Sequence, residues 1–121
     1  MVFLFEDLEV YKRSMKLVIK AYAFCGGREV NGNRKLIDQL QRAVLSIPLN
    51  IAEGQGRAHS REKKQYYNTA KGSLYECLPI IQICCELKYI GDEEYQEIYS
   101  LMNEIAKMLA GLIKSVQENN K

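Results

Sequence analysis

Residues Ser46 to Arg57 read S-I-P-L-N-I-A-E-G-Q-G-R, and the rest of the chain is organised around them. Ile47 and Ile51 lie four apart, so they share one helix face. Pro48 sits inside that segment. It removes the amide that would bond the carbonyl of Val44, at a cost of about 3 kcal/mol. A bend offset by packing is therefore expected. Asn50 and Glu53 are three apart and project from one side, and Arg57 follows Glu53 by four. Gly54 and Gly56 stop the segment and turn the chain. Polar residues at the end of an apolar, proline-bearing helix predict a structural junction of Pro48, Asn50, Glu53, Gly54 and Gly56. In it Glu53 pairs with Arg57, and Asn50 satisfies backbone groups beside the proline. The alternative is a contact site at the end of a helix bundle.

Upstream, Ile37, Leu40, Val44, Ile47 and Ile51 recur at steps of 3 and 4, which predicts a helix over about 34–54. Asn33 caps it after a turn at Asn31-Gly32. Before that turn, Leu8, Tyr11, Met15, Val18, Tyr22 and Cys25 keep the same spacing over a helix at about 7–25. Asp7 is its expected N-cap and Gly26-Gly27 its stop. Downstream, Tyr67, Ala70, Leu74, Cys77, Ile81 and Cys84 define a helix at about 61–88, capped by Ser60. Pro79 should bend it. Gly72, beside Ser73, is costly in mid-helix, by about 1 kcal/mol relative to Ala. Close approach of a neighbouring helix is the expected reason. Tyr89-Ile90-Gly91 is a stop and Asp92-Glu93-Glu94 a start. Tyr95, Ile98, Met102, Ile105, Leu109, Leu112 and Val116 then line a helix at about 93–117, with a small residue, Gly111, within it and fraying from Gln117.

No run alternates with period two. Four amphipathic helices on short connections predict an all-α, antiparallel up-down-up-down four-helix bundle, forming one domain over 1–121. The 3–4 spacing favours shallow crossings of about 20°. Leu36, Leu45, Leu49, Leu78, Leu101 and Ile113 flank the seams in excess of what a monomeric core needs. They point to an oligomer surface.

The central stretch also carries a resemblance. S-I-P-x-N-I-A-E-G-x-G-R is similar to the signature of the bacterial 23S rRNA intervening-sequence, or S23-like, proteins. Phe5-Glu6-Asp7-Leu8-Glu9-Val10-Tyr11 resembles that family's opening F-x-D-L-x-V-W, with Tyr11 for the usual Trp. Ala70-Lys71-Gly72-Ser73-Leu74-Tyr75-Glu76 resembles its A-x-G-S-L-x-E. Pro79 departs from the family, whose third helix continues without a proline. The resemblance implies a four-helix bundle. It also implies a homo-oligomer, and, through a related branch serving diversity-generating retroelements, a ring of five that binds nucleic acid and partners a reverse transcriptase.

The 121 residues carry a net charge of only +2. The distribution is uneven: residues 11–71 hold 13 Lys or Arg against 4 Asp or Glu, and the remainder hold 4 against 11. Such polarity suits a nucleic-acid partner, or a basic part of one subunit meeting an acidic part of the next. It also describes simple solvated faces. Arg61, Lys64, Asn68 and Lys71 form one helical stripe, with Arg57 at the adjoining turn and Tyr66 and Tyr67 within the segment. Cations with aromatics can hold phosphates and stack bases. The competing reading puts Tyr67 in the core and the lysines in water.

Several chemistries lack their residues. Gly54-Gln55-Gly56 has no third glycine, since His59 stands there, and it follows a helix rather than a strand. Lys71-Gly72-Ser73 lacks the upstream glycine of a phosphate loop. One histidine supports neither a di-iron site nor a histidine-based triad. Cys25, Cys77, Cys84 and Cys85 form no C-x-x-C pair, so reduced core thiols are expected rather than zinc ligands. No catalytic residue, metal or cofactor is expected. No signal peptide and no membrane span are read, so a cytoplasmic location is expected. The residues thus point to a non-enzymatic protein. It binds phosphate backbones without sequence preference through Arg57, Arg61, Lys64 and Lys71, or serves as a protein–protein scaffold ring.

Overall fold

The computed structural model describes residues 3–26 and 33–119. A 3-10 turn at Leu4–Asp7 precedes α1 (Glu9–Cys25), α2 (Arg34–Gln55), α3 (Ser60–Glu86) and α4 (Asp92–Asn119). There is no strand among the described residues. Gly27, the turn at Asn31-Gly32 and the last two residues of the chain lie outside them.

Each helix packs on two neighbours in the cyclic order α1, α2, α3, α4. Contacts between neighbours run in opposite chain senses. Across α2 and α3, Gly54 meets Tyr67, Ser46 meets Ser73 and Gln39 meets Glu76. Across α1 and α4, Arg13 pairs with Glu104 and Lys20 with Glu97. Antiparallel neighbours give this order, and short loops require it.

The seams of α2 and α3 are buried at every expected position. In α4, Ile98, Met102, Ile105, Leu109 and Val116 are buried, while Tyr95 and Leu112 are half-buried at its edges. The seam of α1 differs. It runs Val10, Ser14, Leu17, Ala21 and Phe24, with Val18 and Cys25 beside it. Met15 and Tyr22 face outward. Ser14 is fully buried, and its hydroxyl donates to the carbonyl of Tyr11 at 2.8 Å. That local bond removes the cost of burying a hydroxyl. Leu101, assigned to an oligomer surface from its position, is buried in the core of this bundle. Burial pushes Cys25 and Cys84 up to about 11 and Cys77 up to about 12, so these core thiols stay protonated at neutral pH.

Helix ends depart from the expected caps in detail. Asp7 belongs to the 3-10 turn and Leu8 occupies the N-cap of α1. Ser60 opens α3 behind His59 at the N-cap. Asn33 holds the N-cap of α2, but its side-chain oxygen accepts no bond from the first turn; its amide donates to the Tyr89 hydroxyl. α3 stops at Lys88, which is left-handed at φ 64. The amide of Lys88 bonds Cys85 and that of Tyr89 bonds Cys84, which closes a Schellman motif without glycine. Gly54 and Gly56 adopt no positive φ. α2 and α3 run on through Pro48, which is buried, and Pro79, which is exposed.

Close helix approach falls at Gly54, not at Gly72. A Cβ on Gly54 would stand 2.6 Å from Cε1 and 2.9 Å from Cδ1 of Tyr67, and 3.1 Å from Cβ of Tyr66. The Tyr67 ring is only 1% exposed, so it has no room to swing aside. Around Gly72 and Gly111 a Cβ would meet nothing within 4 Å. The two kinds of site predict opposite signs. Gly72→Ala should stabilise by about 0.5–1 kcal/mol through helix propensity alone. Gly54→Ala gains the same propensity but overpacks, at a cost of about 1–3 kcal/mol. Thermal unfolding should show the first variant melting higher than wild type and the second lower. A Gly54→Ala protein melting above wild type contradicts the contact.

Candidate nucleic-acid interface

The junction around Gly54 sets which way each face of α3 points. Gly56 to His59 form the only link between α2 and α3, so α3 starts close beside the end of α2. Lys63 turns back and donates to the carbonyl of Gln55 at 2.9 Å and of Gly54 at 3.4 Å. It supplies a cation and a donor to the carbonyl end of α2, where the Gly54 carbonyl also accepts from the Arg57 amide. Tyr67 donates to Oε1 of Gln55 at 3.4 Å. Burial raises its phenol pKa. The residue therefore belongs to the core and offers no base-stacking face.

Arg57 reaches Glu53 through a salt bridge, as its spacing implies. It also donates to the Tyr66 hydroxyl at 2.9 Å, and its guanidinium lies 4.9 Å from the centre of that ring. The hydrogen bond to Glu53 and the field of Tyr66 raise the Arg57 pKa. Arg57 thus sits on the side of α3 that faces α2, with its charge offset. Glu53 is half-exposed, so this pair forms in water rather than as a buried brace.

The polar bridge inside the junction is made by other atoms. Asn50 donates through Nδ2 to the carbonyl of Ser46 at 2.7 Å and to its hydroxyl at 2.9 Å. Ser73 of α3 donates to the same hydroxyl at 2.7 Å. Ser46 therefore links Asn50 to the neighbouring helix beside Pro48. Neither serine is among the junction residues that the sequence pattern marks. Their 27-residue separation hides the pairing, which only the α2–α3 register creates. Gly56 is exposed, and a Cβ there would make ordinary contact with backbone oxygens.

Arg61, Lys64 and Lys71 lie on the other flank of α3, towards α4. Arg61 and Lys71 are exposed and Lys64 is half-exposed. None pairs with a carboxylate of the described residues. Lys71 stands 5.7 Å over the ring of Tyr75, the next residue of the same stripe. The structure therefore keeps three of the four expected cations together and separates Arg57 from them. Tyr75 was legible from the spacing 61, 64, 68, 71, 75, had the stripe been continued one turn.

Exposed apolar side chains gather on two faces. On the α1–α2 face are Phe3, Leu4, Ile19 and Leu49, each more than half exposed, with Met15, Tyr22 and Leu45 less so. Phe3, Leu4 and Leu49 line a groove of about 590 Å³ that ends at Glu53 and Arg57. The α3 and α4 side carries Tyr75, Ile83, Leu87 and Tyr99. Among the described residues no group of His, Cys, Asp or Glu is arranged to hold a metal ion. No helix among them is long and apolar enough to cross a membrane.

Residues 6–111 match the profile of the 23S rRNA-intervening sequence proteins. The chain belongs to that family. A crystal structure of a protein of unknown function from the S23 ribosomal protein family of Bacteroides thetaiotaomicron superposes with a TM-score of 0.77 at 22% identity. The match covers 87% of this chain and 98% of that one, so the S23-family bundle is the fold seen here. No curated protein matches the chain.

The bridge and the ion pair should respond differently to mutation. Asn50→Asp puts an acceptor where the Ser46 carbonyl needs a donor, and should cost about 1 kcal/mol or more. Glu53→Gln should leave the melting temperature within error of wild type. Equal losses in both variants contradict the assignment of the brace to Asn50.

Proposed function

We propose that this S23-family protein is a non-enzymatic, self-assembling cytoplasmic protein that binds nucleic acid through phosphate backbones without sequence preference. The observation that carries this reading is the stripe of Arg61, Lys64 and Lys71. These cations stand on an open face of α3 with no carboxylate partner among the described residues. Electrostatic attraction to phosphate needs no more than that, and it reads no sequence. Arg57 adds least, because Glu53 already offsets it.

Self-assembly rests on the apolar side chains exposed on the α1–α2 face and on Ile83 and Leu87 at the far end of α3. Unlike faces of one subunit meet head to tail, and such contacts close into a ring where the rotation allows. A ring of five, and a reverse transcriptase as protein partner, follow from the family resemblance alone. A ring would multiply weak phosphate contacts by avidity. The Phe3, Leu4 and Leu49 groove favours a second reading, a scaffold ring that binds protein and no nucleic acid.

Titration of RNA and of duplex DNA at several salt concentrations separates the two. The wild type should bind at low salt, with each neutralised phosphate adding about 0.9 to the log–log slope on duplex DNA. Replacing Arg61, Lys64 and Lys71 with Gln should flatten the slope by about 2–3 on that scale. Arg57→Gln should change it little. Absence of binding at low salt supports the scaffold instead. Light scattering on the same samples should give a mass above the 13.9 kDa of one chain, and a monomer mass contradicts the ring.

A further inference from the structure

The basic stripe does not end at Lys71. It runs into a groove of about 330 Å³ between α3 and α4, framed by Tyr75 and Pro79 on one side and Tyr99 and Asn103 on the other. Tyr75 is 64% exposed and Tyr99 43%, so both rings offer faces to solvent. Ala106 also lines the groove, and its small side chain leaves that end open. Lys107 follows Asn103 by four residues and Lys114 lies two further turns on, and both are exposed. Neither pairs with a carboxylate of the described residues.

Glu86 lines the adjoining groove that shares Pro79, and the other acids nearby are turned elsewhere. Glu76 accepts from Gln39 of α2 at 3.4 Å. Glu97 and Glu104 face α1, where they meet Lys20 and Arg13. The groove thus has aromatic walls, with Lys71 over Tyr75 where the basic stripe reaches it and no carboxylate lining it. A duplex hides its base faces in the stack, whereas an unpaired strand presents them. An aromatic pair within a cationic groove is the arrangement that non-specific single-strand binders use, because every base has a π-face.

We propose that the groove between α3 and α4 is a platform for single-stranded nucleic acid. Tyr75 and Tyr99 stack bases, while Lys71 and Lys64, on the same stripe of α3, hold the backbone as it enters the groove. This rests on the phosphate-binding reading above and adds to it the strand state of the ligand and the residues that recognise it. A protein segment seated in the same groove would have to bring a carboxylate to Lys71 and its stripe. The cations of the α3 stripe favour the nucleic acid.

The test compares oligothymidine with an abasic sugar–phosphate strand of equal length, by fluorescence anisotropy at fixed low salt. The wild type should bind oligothymidine about tenfold tighter or more. The double variant Tyr75→Ala, Tyr99→Ala should lose that preference and keep the salt slope. Tyr75→Phe with Tyr99→Phe should retain it, since the ring is what stacks. Equal wild-type affinity for the two strands overturns the stacking platform and leaves backbone binding standing. Binding of neither strand overturns both. An alanine variant that keeps its preference for oligothymidine but falls to a smaller mass in light scattering makes the groove a contact between copies, and overturns the platform.

Discussion

The contact of Gly54 with the ring of Tyr67 is the constraint on which the arrangement of α2 and α3 depends. A backbone that approaches an aromatic ring this closely leaves no volume for a side chain. Tyr67 can stay fully buried only while position 54 carries no Cβ. The contact holds the end of α2 against the start of α3, where Lys63 and Tyr67 bond to the last residues of α2. From that anchor the two helices run apart in sequence but stay paired, through Ser46 with Ser73 and then Gln39 with Glu76. The polar bridge beside Pro48 is therefore a consequence of register, and the register is set at Gly54.

The same orientation sorts the positive charges of α3. Those facing α2 are consumed within the fold: Lys63 caps carbonyls, and Arg57, on the preceding loop, is held by Glu53 and Tyr66. Those facing α4 find no carboxylate partner among the described residues. A one-residue rotation of α3, about 100°, would carry Lys64 and Lys71 towards different neighbours. Function and packing are thus coupled through one helix orientation. A net charge of +2 conceals this, because the sum does not show which cations stand beside carboxylates.

The bundle was legible because apolar spacing of 3 and 4 is dictated by helix geometry wherever one face is buried. In α2 and α3 that spacing located the core to the residue. In α1 it did not, because Ser14 occupies a core position and broke the run of Val10, Leu17, Ala21 and Phe24. The competing run of Leu8, Tyr11, Met15, Val18, Tyr22 and Cys25 is equally periodic, but it lies at the edge of the core, and Met15 and Tyr22 face outward. Glycine was harder still. Gly72 in mid-helix suggested a close approach, yet it faces open space, while Gly54, read as a helix stop, makes the approach. Chain spacing places a residue on a helix face but does not say which helix comes nearest it. For the same reason Arg57 joined the basic stripe on paper, though the loop carries it to the opposite flank of α3.

A double-mutant cycle between positions 54 and 67 tests the central constraint directly. Tyr67→Leu removes the ring atoms that a Cβ at position 54 would strike. Equilibrium denaturation of wild type, Gly54→Ala, Tyr67→Leu and the double variant yields the coupling free energy. Gly54→Ala should cost much less in the Tyr67→Leu background, with a coupling of about 1 kcal/mol or more. Costs that add within about 0.3 kcal/mol would mean that the two positions do not constrain each other. The account of the α2–α3 junction would then be contradicted.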